Sequence, residues 1–133
     1  MIPQIKVKDV MTPSNRLVTA SEDETIRDAA KKMFENNVGS VLIVRNDRLI
    51  GIFTERDIVK IISKELPLDT KLGEVMTKDV ITVEPEESLS RAALLMSERN
   101  IRHLPVVKDE RLEGIISARD VAKYYSEVME EFL

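Results

Sequence analysis

Apolar and polar positions along this chain follow a helical rhythm in some stretches and a strand rhythm in others, and the same succession occurs twice. Ile26, Ala29, Ala30, Met33 and Phe34 are spaced i, i+3, i+4, i+7, i+8, which predicts an amphipathic helix with one apolar stripe. Thr25 and Asp28 are placed to cap its start. Leu89, Ala92, Ala93 and Met96 repeat that stripe later. After each helix come two apolar runs, "SVLIV" with "RLIGIFT" and then "HLPVV" with "RLEGIIS". Asn46-Asp47 between the first two predicts a hairpin, whereas Pro105 suits an edge position better than a central one. A short β run precedes each helix, "RLVTA" at Arg16–Ala20 and "VITV" at Val80–Val83. A second helix closes each unit: Ile58, Val59, Ile61 and Ile62 in one, Val121, Ala122, Tyr125 and Val128 in the other. The tail "YYSEVMEEFL" continues the last helix by periodicity. The predicted fold is α+β, two tandem β-α-β-β-α repeats at 1–66 and 67–133 joined around Glu65–Leu72.

The duplication is also literal. "GIFTERD" at Gly51–Asp57 returns as "GIISARD" at Gly114–Asp120, 63 positions on. From Asn37 to Lys60 the chain aligns without a gap onto Asn100 to Lys123, and nine of the 24 pairs are identical. Average usage gives roughly one or two by chance. Val10-Met11-Thr12 answers Val75-Met76-Thr77 at an offset of 65, so the first copy holds two extra residues near Ser14-Asn15. One repeat of about 60 residues is marginal alone. Two packed sheet to sheet share a core, with pseudo-twofold symmetry and a pair of equivalent clefts between the halves.

Composition narrows the function classes. The chain has 133 residues and no cysteine, hence neither disulfides nor thiolate metal sites. No stretch reaches the ~18 apolar residues of a membrane helix, and the start lacks the apolar core of a signal peptide. The expected location is the cytoplasm. Charged residues are 33% of the chain, and Gln4 is the single glutamine, a balance that points to a heat-adapted source. A net charge of −4 disfavours a whole-surface grip on nucleic acid. There is no Walker A loop, no cysteine nucleophile and no histidine cluster, so catalysis is not expected.

The doubled heptapeptide carries the candidate chemistry. Thr54-x-x-Asp57 and Ser117-x-x-Asp120 each fit a helix capping box, the bland reading, and Gly51 and Gly114 fit a relief of crowding after a hairpin. The functional reading uses the same geometry. A strand that ends in Thr or Ser and runs into a helix aims backbone N–H groups and a positive helix end outward, an arrangement that holds phosphate. Arg56 or Arg119 adds a charge-assisted donor, and the Asp is placed to accept from a ribose diol. A cap alone needs no arginine, yet both copies have one.

The doubled unit, "DVMT" and "EVMT" at its starts, "RHLPVV" at Arg102–Val107 and the paired G-h-x-[ST]-x-x-D segments resemble the CBS domain. Two in tandem resemble a Bateman module, over about Val7 to Tyr125. The resemblance implies a regulatory module that binds AMP, ADP, ATP or S-adenosylmethionine in two inter-repeat clefts and senses energy or metabolite state. It implies that Asp57 and Asp120 hold ribose hydroxyls while Thr54 and Ser117 lie near phosphate. Adenine is then placed so that Asp120 works with Val18, Thr19 and Val38, and Asp57 with Ile81, Thr82 and Ile101, with Thr12 and Thr77 at the cleft edge. The copies differ before the first hairpin strand: Gly39-Ser40 in one, Arg102-His103 in the other. His103, the single histidine, is either an ordinary surface or core residue or a phosphate contact; in the second case the clefts are unequal.

Leu94 and Leu95 lie off the expected stripe, either locally buried or part of a homodimer surface, since CBS pairs often associate through their helices. The leading function is a binding module for an adenosine-containing ligand that signals to a protein partner in trans. The alternatives are an interaction scaffold with empty clefts and a nucleic-acid-binding CBS protein. Three Phe and two Tyr leave few platforms for base stacking.

Overall fold

Asn46 and Asp47, at φ 50° and 63°, form the tight turn that the pattern predicts, and Asp109 and Glu110 repeat it at 49° and 64°. Left-handed backbone at both turn positions matches the twist of the flanking strands. The computed structural model describes residues 4–131. In chain order these form α1 (Val7–Val10), β1 (Thr12–Pro13), a 3-10 turn (Ser14–Arg16), β2 (Thr19–Ala20), α2 (Ile26–Asn36), β3 (Ser40–Arg45), β4 (Arg48–Thr54), α3 (Glu55–Ser63), α4 (Leu72–Val75), α5 (Leu89–Arg99), β5 (His103–Lys108), β6 (Arg111–Ser117) and α6 (Ala118–Glu130). The fold is α+β. The two extra residues of the first copy lie in the 3-10 turn.

The chain divides into two compact units whose boundaries differ from those of the repeats. A central unit runs from Val18 to Val80; a split unit combines residues 4–17 with 81–131. Each is built on one hairpin. In the central unit β3 pairs antiparallel with β4 and parallel with β2. Beyond β4, Thr77 exchanges hydrogen bonds of 3.0 Å with Ile52. In the split unit β5 pairs with β6, and β6 with β1, both antiparallel. Thus the "VMT" segment at the head of each repeat lies beside the hairpin of the other repeat. Both hairpins carry a bulge at the same place, Ile50 and Glu113 being the extra residues.

"VITV" does not form the predicted strand. It makes a single parallel bridge at Val83, and the reason lies one strand away. In the central unit Leu42 donates its N–H to the Val18 carbonyl at 3.0 Å. The matching residue in β5 is Pro105, which has no N–H to give. Pro105 is nevertheless buried, flanked by β6 and by Val83, whose N–H donates to its carbonyl at 3.1 Å.

The helices bury narrower stripes than the sequence predicts. Ile26, Ala29 and Met33 of α2 are buried, as are Leu89, Ala92 and Met96 of α5. Full burial of an Ile, Leu or Met side chain stabilises by roughly 1.5–3 kcal/mol. Phe34 is instead 89% exposed. On α3, Ile61 is buried and Ile58 packs on the core, while Val59 and Ile62 face water. On α6, Val121 and Tyr124 pack inward and Tyr125 does not. Leu95 packs on the core, and Leu94 is exposed. Phe132 and Leu133 of the tail lie outside the described residues.

Asn37 and Asn100 end α2 and α5 at φ 52° and 53°. The following N–H groups, of Val38 and Ile101, reach back to Met33 and Met96 carbonyls at 3.0 Å, a Schellman closure that favours Gly or Asn at the left-handed residue.

Candidate functional site: two strand-to-helix junctions

Each unit carries one copy of the same junction. In the split unit β6 ends at Ser117 and α6 begins at the next residue. The Ser117 N–H donates to Asp120 Oδ2 at 2.9 Å, and the Asp120 N–H donates to Ser117 Oγ at 3.1 Å. In the central unit the Thr54 N–H donates to Asp57 Oδ2 at 2.8 Å, and Thr54 Oγ1 donates to the same oxygen at 3.3 Å. The capping reading is therefore realised in both copies. It does not separate these Asp residues from Asp28, which receives the Thr25 N–H at 2.9 Å in the same way. That backbone bond, with the Thr25 side chain second, holds the Asp28 carboxyl below its ordinary range.

The first amide of each helix is also occupied. Glu55 N–H donates to the Gly39 carbonyl at 3.1 Å, and Ala118 N–H donates to the Arg102 carbonyl at 2.9 Å. With Ser117 Oγ taking the Asp120 amide, two of the first three N–H groups of α6 are used inside the unit. The picture of outward amides ready for phosphate is corrected at those positions. Arg56 and Arg119, one residue further on, are exposed.

The same strand pairing sets the neighbours. Ser40 is opposite Thr54, and His103 is opposite Ser117, so Gly39-Ser40 and Arg102-His103 border their junctions. His103 is half-buried and Arg102 exposed. The split unit thus gathers Arg102, His103, Ser117, Arg119 and Asp120 at one end of the β5–β6 hairpin. Thr12 pairs with Ile115 on the other side of β6. Thr77 stands in the same relation to Ile52 in the central unit.

The remaining expected residues lie on the approach to each first hairpin strand. Val18 packs on the central core, and the Thr19 carbonyl accepts from Lys32 Nζ at 2.7 Å. Val38 follows the left-handed Asn37. Ile81 and Ile101 pack on the split core, and Thr82 is exposed. The sets expected to share a ligand are divided between the units: Asp120 is in one and Val18, Thr19 and Val38 in the other, and Asp57 is likewise separated from Ile81, Thr82 and Ile101. The sequence reading missed the Gly39 and Arg102 carbonyls. The identical Asn37 and Asn100 were the available signal, because a left-handed cap turns the chain so that the next carbonyls meet the second helix.

Among the described residues no group of three His, Cys, Asp or Glu side chains is gathered to hold a metal ion. No helix there is long and apolar enough to cross a membrane.

One hairpin, two flanking segments and a capped junction, all doubled, define a tandem α+β module. The sequence profile of the CBS domain matches residues 7–64 and 72–127, and the chain belongs to that family, carrying two of its domains in tandem. The mitochondrial CBS domain-containing protein CBSX3 of Arabidopsis thaliana is 36% identical over 129 residues, covering 88% of this chain. The chain spans 63% of that relative's length. The crystal structure of the CBS domain pair of protein MJ0100, in complex with 5'-methylthioadenosine and S-adenosyl-L-methionine, superposes with a TM-score of 0.85 at 31% identity, covering 94% of this chain and 98% of the other. That of CBSX2 in complex with AMP gives 0.80 at 27% identity, with 94% and 98% covered.

Proposed function

We propose that the chain is a regulatory module that binds an adenosine-containing ligand, AMP, ADP, ATP or S-adenosylmethionine, in clefts between its repeats. The observation that carries this reading is the doubled junction, in which hydroxyl, arginine and aspartate recur although a cap alone needs no arginine. Adenosine compounds bound to the MJ0100 pair and to CBSX2 support the chemical class. In this reading each Asp keeps one oxygen on its N-cap amide and accepts ribose hydroxyls with its remaining lone pairs. Asp120 would share its ligand with Val18, Thr19 and Val38, and Asp57 with Ile81, Thr82 and Ile101, with Thr12 and Thr77 bordering.

Phosphate then depends on side chains more than on helix amides. Thr54 and Ser117 offer hydroxyls, Arg56 and Arg119 offer charge-assisted donors, and Arg102 with His103 enriches the second junction alone. The second site is therefore the better match for a more highly charged nucleotide. A ligand gripped by both repeats shifts the population of their arrangements, which a partner protein senses in trans; with an adenine nucleotide the module reads energy state. The role is regulatory and not catalytic, in the cytoplasm. Apolar side chains left on the helices, Phe34, Ile62, Leu94 and Tyr125, support a homodimer, and the charge-rich surface fits a heat-adapted source.

Isothermal titration calorimetry with the four ligands tests the reading. Saturable binding of at least one is expected. No heat from any of them at millimolar concentration sinks it in favour of an empty scaffold.

A further inference from the structure

The two repeats use their main-chain groups unequally on the approach to the first hairpin strand. In the central unit the Val18 carbonyl accepts from the Leu42 N–H at 3.0 Å, which commits it to the sheet. In the second repeat Ile81 stands where Val18 does, and Pro105 where Leu42 does. Proline has no N–H to give, and among the described residues no backbone N–H donates to the Ile81 carbonyl.

That acceptor is nevertheless held in place. The Ile81 side chain packs on the split core. Two residues later Val83 is fastened to β5 twice, its N–H donating to the Pro105 carbonyl at 3.1 Å and its carbonyl accepting from the Val107 N–H at 2.9 Å. Ile101, expected in the same site, has already given its N–H to the Met96 carbonyl at 3.0 Å. Ile81 therefore offers a positioned, half-buried acceptor whose ladder bond is unmade. An acceptor of this kind is costly to leave unmatched, so a site that contains one discriminates against a ligand without the complementary N–H.

We propose that the Ile81 carbonyl reads the base, accepting an N–H from the amino-bearing edge of an adenine. The site of Asp57 then demands that donor, while the site of Asp120, where Val18 is committed to Leu42, tolerates a base without it. The inference rests on the binding reading above, in which Ile81 and Asp57 share a ligand. It adds an inequality between the two sites that a single proline creates.

The test compares AMP with purine riboside 5'-monophosphate, which lacks the exocyclic amino group, by calorimetry on full-chain variants that each keep one site. In Asp120→Ala, AMP should bind about tenfold more tightly than the analogue, the scale of one acceptor left unmatched. In Asp57→Ala the ratio should be clearly smaller. Adding Pro105→Leu to Asp120→Ala supplies the missing donor, and the ratio should fall toward that of the other site with unchanged circular dichroism. Equal ratios at the two sites overturn the proposal, and so does a ratio that survives Pro105→Leu in a folded chain. Should that double variant not fold, the two single variants decide alone. AMP that binds neither of them also overturns it, and the wild-type titration with the other ligands then judges the adenosine reading separately.

Discussion

The carbonyl oxygen of Thr12 lies against Gly114 so closely that a Cβ on residue 114 would overlap it, with Met11 Sδ 2.8 Å from the same point. A Cβ on Gly51 would instead run into the Met76 side chain, with the Thr77 carbonyl 3.1 Å away. The crowding that keeps both positions as glycine comes from the "VMT" segment of the opposite repeat. A thioether swings aside; a backbone carbonyl held in a ladder does not. Gly114→Ala should therefore destabilise by about 1–3 kcal/mol, the usual cost of overpacking, and Gly51→Ala by clearly less. Urea unfolding of the two variants decides, and equal losses would refute the argument.

Asp28, Asp57 and Asp120 each close a capping box with a Thr or Ser N-cap, but only Asp57 and Asp120 stand at strand-to-helix junctions. Asp28→Ala, Asp57→Ala and Asp120→Ala should each lower the melting temperature by a few degrees. Ligand affinity should separate them. Asp57→Ala and Asp120→Ala should each weaken their own site by about tenfold to a hundredfold, as expected for hydrogen bonds to a charged group, and Asp28→Ala should leave it unchanged. If all three behave alike in calorimetry, the junction residues are caps and nothing more.

Glu86 ties the start of the chain to the turn before α5, accepting from Lys6 Nζ at 2.8 Å and Lys8 Nζ at 3.0 Å. The hydrogen bond from Lys6 and then that from Lys8 hold its carboxyl down at about 2, from an ordinary value of 4.5. A depressed carboxylate stabilises fully above its unfolded value and loses that contribution as pH falls toward the folded one. The difference in melting temperature between wild type and Glu86→Gln should be constant above about pH 5 and shrink between about pH 4.5 and 2. Because all three side chains are exposed, added salt should reduce it as well. A difference independent of pH would remove the ion pairs from the account.

Pro105 is the one change that should restore a strand. Pro105→Leu supplies the N–H that Leu42 uses in the other unit, where it donates to Val18 at 3.0 Å. Amide exchange at residue 105 should then be slow, like that at Leu42, with Ile81 as the acceptor. Fast exchange there in a folded variant would mean that something other than the missing donor interrupts "VITV".

What could be read from the sequence follows what repeats in it. The helical stripes at Ile26 and Leu89, the hairpin turns and the junctions all appear where periodicity and turn chemistry put them, because local spacing is enough to specify them. Phe34 and Tyr125 were misplaced because an apolar residue at the margin of a stripe reads the same whether it faces a core or water. The role of "VMT" was not legible at all: its partner lies in the other repeat, and no local pattern encodes a pairing over such a distance. For the site, the residue types at Thr54, Asp57, Ser117 and Asp120 could be read directly. The Gly39 and Arg102 carbonyls that occupy helix amides are marked only indirectly, by the identical Asn37 and Asn100 two residues earlier, since any residue supplies a carbonyl.

Because each sheet is completed by chain from the head of the opposite repeat, the natural place to cut the gene is not the place where the sequence starts over. A fragment ending at residue 66 would lack Thr77 beside Ile52 and would carry Thr12 with no Gly114 to lie on. A fragment from Val18 to Val80 keeps an entire hydrophobic body. An ancestral single copy, made before the duplication, would have needed a twin molecule to lend it that edge.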